Sequence, residues 1–74
     1  MKRYSIFYKE KNEYCPVYIQ NGKYWLGGSR CEWLLFYTKA EAEKVAKSVR
    51  QQKLPFFERG TICVWLVKLT PYTL

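Results

Sequence analysis

From Arg3 to Lys9 the chain alternates, setting Tyr4, Ile6 and Tyr8 against Ser5, Phe7 and Lys9. A two-residue period predicts a β-strand, because successive side chains of an extended backbone point to opposite sides. The charged stretch from Lys9 to Glu13 reads as a polar turn. Tyr14 to Gln20 and Lys23 to Leu26 then flank Asn21-Gly22, the preferred pair for a two-residue type I′ hairpin. That turn opposes Gln20 to Lys23, Ile19 to Tyr24, Tyr18 to Trp25 and Val17 to Leu26. Val17, Ile19, Tyr24 and Leu26 form the expected core face, and Tyr18, Gln20, Lys23 and Trp25 the other. Gly27 to Arg30 is a connection. Cys31 to Tyr37 is apolar on both sides, Trp33, Leu35 and Tyr37 against Leu34 and Phe36, as in an interior strand.

The period then changes. Thr38 and Glu41 have the spacing of a capping box, and Ala42, Val45, Ala46 and Val49 recur at the interval of a buried helical stripe. The helix is expected from Lys39 to about Gln52, with Leu54-Pro55 stopping it and Phe56 to Gly60 as the return. Thr61 to Leu69 alternates again, Cys63, Trp65 and Val67 against Ile62, Val64 and Leu66, and its two apolar faces also read as an interior strand. The chain is therefore expected to be an α+β domain over residues 1–74. It would hold one largely antiparallel β-sheet in the order β-β-β-β-α-β, with one helix packed on one face. A single narrow Ala/Val stripe covers one face only. The opposite, aromatic face must meet solvent, loops, a partner, or a second copy in a homodimer.

Size and composition sharpen this picture. A 74-residue domain buries only about 60% of the surface its unfolded chain exposes. A 49% hydrophobic content, with three Trp, seven Tyr and four Phe, offsets that deficit and argues for a folded chain. Thirteen Lys and Arg against six Glu give a net charge of +7, a field that attracts nucleic acid, anionic surfaces and acidic proteins. Cys15, Cys31 and Cys63 are widely spaced and odd in number, unlike a disulfide framework, and read as thiols of a reducing cytoplasm. Cys63, inside an apolar run, reads as core. No apolar segment follows the basic start, and none reaches the length of a membrane span. The chain reads as a complete cytoplasmic protein without membrane contact.

The chain lacks His and Asp. Their absence removes the imidazole base, the Ser-His and Cys-His nucleophile pairs, and the usual ligands of zinc, magnesium and calcium. There is no phosphate-binding glycine motif. Glu41 and Glu43 are accounted for by the helix, and Glu10 and Glu13 by a turn. No catalytic, metal or cofactor site is expected, and the protein is read as non-enzymatic.

Three surfaces are candidates for binding. Tyr18 and Trp25 on the hairpin, with Lys23 beside the turn and Arg30 in the next loop, set rings among cations, an arrangement suited to unpaired bases. The same cross-strand rings also stabilise hairpins without any ligand. Tyr4 and Tyr8 would enlarge this platform if they share its face. Lys47, Arg50 and Lys53 near the helix end would grip phosphates, or simply complement the helix dipole. Phe57, beside Phe56, is either core closure or an anchor for a protein partner. The leading expectation is a nucleic-acid-binding protein, DNA or RNA. The alternative is a protein–protein module, either a subunit or a phage-type, anti-defence-like inhibitor, that joins or blocks a nucleic-acid-handling complex.

Overall fold

The computed structural model describes residues 2–27, 32–52 and 60–68. The first alternating segment is β1 (Lys2–Glu10), and a two-residue turn at Lys11-Asn12 returns the chain into β2 (Glu13–Gln20). The charged stretch thus turns tightly, with Glu10 and Glu13 as its closing pair and Lys11 at a φ of 55°. Asn21 and Gly22 make the second reversal at φ 53° and 75°, both positive as a type I′ turn requires. The chain enters β3 (Lys23–Leu26) in the expected register, Gln20–Lys23 through Val17–Leu26. Pro16 has no N–H, so the ladder ends on one bond, from the Gly27 N–H to the Pro16 carbonyl at 2.8 Å.

The helix α1 spans Lys39–Gln51. Thr38 caps it, its hydroxyl oxygen accepting from the Glu41 N–H at 3.2 Å while the hydroxyl donates to the Glu41 carboxylate at 3.2 Å. Ala42, Ala46 and Val49 are fully buried, and α1 packs against a cluster of Ile6, Tyr8, Val17 and Ile62. At Ala42 and Ala46 the helix puts only methyl groups toward the sheet, which lets the two layers approach closely. β4 (Thr61–Lys68) runs antiparallel to β1 from Lys9–Thr61 to Lys2–Lys68, and the strand order is β3-β2-β1-β4. The chain is an α+β domain with one antiparallel sheet and one helix on one face.

Three details depart from expectation. The segment before the helix is not a strand, so the order is β-β-β-α-β. β1 and β2 pair only from Phe7–Pro16 to Glu10–Glu13 and then diverge, and this segment fills the opening, bridging Tyr18 through Trp33 and Tyr4 through Phe36. Both bridges are antiparallel. β1 and β2 are themselves antiparallel, so a straight strand between them could be antiparallel to only one. The chain must bend at Leu34 and Leu35. Its alternation survives, since Trp33 packs on Phe7 while Leu34 and Phe36 join the helix-side core. Next, β4 is an edge strand and not an interior one, which leaves Trp65 and Leu66 exposed. Finally, Ile19 lies on the helix side by register yet is 49% exposed, near the hairpin tip.

Both sheet edges meet the end of the helix. Gln52 presents its amide to the backbone of Tyr24, accepting from the N–H at 3.1 Å and donating to the carbonyl at 3.3 Å. In a two-residue hairpin closed by Gln20–Lys23, the Tyr24 groups point away from β2, so Gln52 seals the outer edge of β3. The β4 edge follows from a second parity argument. Tyr4 exchanges both backbone bonds with Phe36 at 2.8 Å, so its groups point away from β4. Its partner Leu66 therefore points its own groups outward, as do Val64 and Ile62. The Ile62 carbonyl accepts from the Arg50 guanidinium at 2.8 Å, which agrees.

Replacing Gln52 with Ala is expected to cost about 1–2 kcal/mol and to speed hydrogen exchange of the Tyr24 amide above that of Trp25, measurable by NMR. At Gly60 a Cβ would overlap the Lys9 carbonyl oxygen and come within 2.6 Å of the Tyr8 ring. Gly60→Ala is expected to lower stability by about 1–3 kcal/mol, read as a lower denaturation midpoint.

Candidate functional site

The face turned away from α1 carries Arg3, Ser5, Phe7 and Lys9 of β1, and Tyr14, Pro16, Tyr18 and Gln20 of β2. Lys23 and Trp25 of β3, with Thr61, Cys63, Trp65 and Val67 of β4, complete it. No strand position on this face holds a carboxylate. Glu10 and Glu13 fall on the other side, and Glu41 and Glu43 on the helix. The result is a sheet surface of rings and cations from which acidic strand residues are absent.

Two aromatic groups stand on it. In the hairpin, Tyr18 is half-buried between Trp25, its β3 partner, and Trp33, its bridge partner. Trp25 is 40% exposed and donates its indole N–H to the Gln20 carbonyl at 3.3 Å, which fixes the ring against its own turn. Lys23 is exposed at the same turn. The second group lies across β1. The rings of Tyr14 and Trp65 meet with centroids 4.4 Å apart and planes inclined at 51°. Phe7 supports Trp65 at 5.7 Å and meets Trp33 edge-on at 5.2 Å. Phe7 is buried, but Tyr14 and Trp65 are each 42% exposed. Cations border this group: the Lys9 ammonium lies 5.5 Å from the Tyr14 centroid, and the Arg3 guanidinium 4.0 Å from that of Tyr37. Ser5 is wholly buried within the face, its hydroxyl without a hydrogen-bond partner.

Of the residues singled out from sequence, Tyr18, Lys23 and Trp25 do share one surface. Lys47 and Arg50 belong to α1, on the opposite side of the sheet, and Arg50 spends its guanidinium on the Ile62 carbonyl. The hairpin and helix candidates are therefore not one site. Arg30, Lys53 and Phe57 lie outside the described residues, as do Cys31 and Phe56. Tyr4 and Tyr8 do not enlarge the platform, because both point to the helix side, with Tyr8 in the core. Cys63 is half-buried on the aromatic face, its sulfur 3.7 Å from the Thr61 hydroxyl, and is not core.

Tyr14 and Trp65 are the residues that sequence reasoning missed. Alternation correctly grouped Trp65 with Cys63 and Val67, and Phe7 with Lys9. What it lacked was the β1–β4 pairing that brings those two groups onto one face. Among the described residues no group of His, Cys, Asp and Glu could hold a metal ion, and no helix is long and apolar enough to cross a membrane. Compared with protein-family models, with curated proteins and with solved structures, the chain matches none.

Proposed function

We propose that this is a non-enzymatic domain that binds nucleic acid on the sheet face opposite its helix. One observation carries the reading: Arg3, Lys9 and Lys23 stand among exposed rings on a face with no carboxylate at any strand position. Phosphates find cations there with no carboxylate at a strand position to repel them, and the net charge of +7 adds long-range attraction. Lys47, exposed on the helix, stands on the opposite layer and outside that face. Cys15 and Cys63 project from opposite faces of the sheet and cannot pair with each other, in keeping with thiols of a reducing cytoplasm.

Titration of tryptophan fluorescence with mixed-sequence oligonucleotides tests this reading. Quenching is expected at low salt, and affinity should fall with a log–log salt slope of about −2 to −3 for three phosphate contacts. Lys9→Ala and Lys23→Ala should each flatten the slope by about 0.7–0.9. Silence in both fluorescence and gel mobility at low salt overturns the reading.

A second reading, a module that joins or blocks a nucleic-acid-handling protein complex, is favoured by a different observation. The outer edge of β4 turns the backbone groups of Val64 and Leu66 away from the sheet, and Leu66 is 52% exposed. An added strand from a partner would complete that ladder. Proline is tolerated on an edge where its missing N–H would face outward. Leu66→Pro should therefore leave the fold intact and abolish stoichiometric capture of a partner from nuclease-treated lysate. Unchanged capture would exclude strand addition.

A further inference from the structure

We infer that the Tyr14–Trp65 pair is a stacking platform for unpaired bases, so that the ligand of this face is single-stranded nucleic acid and not duplex. This rests on the nucleic-acid reading above and names its ligand class. A duplex hides the faces of its bases and presents phosphates, so exposed rings gain nothing from it beyond the cations beside them. An unpaired base offers a π-face to an aromatic side chain of any sequence context.

The geometry matches the second ligand. Tyr14 and Trp65 come from β2 and β4, touch at 4.4 Å, and remain 42% exposed each. Their planes are inclined at 51°, so the two rings do not stack flat, and the exposure of each leaves ring surface open to a base. Phe7, buried beside Trp65, fixes that ring from within the sheet. Charge complementarity supplies the rest. Lys9 stands beside Tyr14, and Arg3 lies six residues away on the same strand and face, ~20 Å along β1. A strand of several nucleotides laid along β1 would meet a cation at each end and rings between.

Fluorescence anisotropy with labelled oligonucleotides of one length tests this, using single-stranded DNA, single-stranded RNA and the corresponding duplex. At physiological salt both single strands, or the one the domain prefers, should bind at least about tenfold more tightly than duplex. Trp65→Ala should weaken single-strand binding by about 5- to 150-fold while leaving the salt slope unchanged, since the ring carries no charge. Trp65→Phe should retain most of the affinity, and it keeps the test informative if the alanine variant loses its fold. Lys47→Ala, on the opposite layer, should change affinity by less than twofold. Equal binding of duplex and single strand, with Trp65→Ala silent in a folded protein, would overturn the platform and leave the broader nucleic-acid reading standing. Binding of no oligonucleotide would end both.

Discussion

A four-stranded sheet has two faces, and α1 has one narrow stripe with which to cover them. Ala46 and Val49 pack with Ile6, Tyr8, Val17 and Ile62, and the rest of the molecule depends on that contact. It decides which face is core, and so which residues of every strand point outward. It also decides how far the core extends, because residues beyond the reach of the helix, such as Ile19 and Leu66, stay exposed even on the apolar side. Among the described residues no second helix or sheet covers the other face. Its apolar surface is managed by rings packing on rings, Trp33 and Trp65 against Phe7, which buries the innermost ring, half-buries Trp33 and leaves Trp65 exposed.

The segment from Trp33 to Phe36 holds the two halves of this sheet together where direct pairing fails. Past Phe7–Pro16 the strands part, with β4 following β1 and β3 following β2. Trp33 and Phe36 each hold one bank of the gap and send their side chains to opposite faces. The same few residues therefore contribute to the core and to the aromatic surface, and they couple the integrity of one to the arrangement of the other.

Local signals in the sequence located most elements, for reasons that are themselves local. Asn21-Gly22 tolerates two positive φ angles, so the β2–β3 register follows from the turn alone. Thr38 and Glu41 mark the helix start by hydrogen bonds within a single turn. The misjudged features depend on neighbours distant in the chain. Two-faced apolarity in Thr61–Lys68 resembles an interior strand, yet the strand lies at an edge because nothing in its own residues encodes strand order. Apolarity on both sides of Trp33 to Phe36 was legible, but the bend was not, since it arises from the opposite senses of β1 and β2. The candidate site divides in the same way. Tyr18, Lys23 and Trp25 were found through one hairpin, whereas Tyr14 and Trp65 meet only after three strands have assembled.

The contact between Gln52 and Tyr24 involves no side-chain atom of Tyr24. Any residue but proline at position 24 presents the same N–H and carbonyl to that amide, because the partner of Ile19 turns both groups outward. Register is left to Asn21-Gly22, and the end of the helix holds β3 by its outer edge alone. The side chains of the strand take no part in that attachment, so Trp25 can serve the open face, and Tyr24 and Leu26 the core, while one glutamine keeps the strand against the helix.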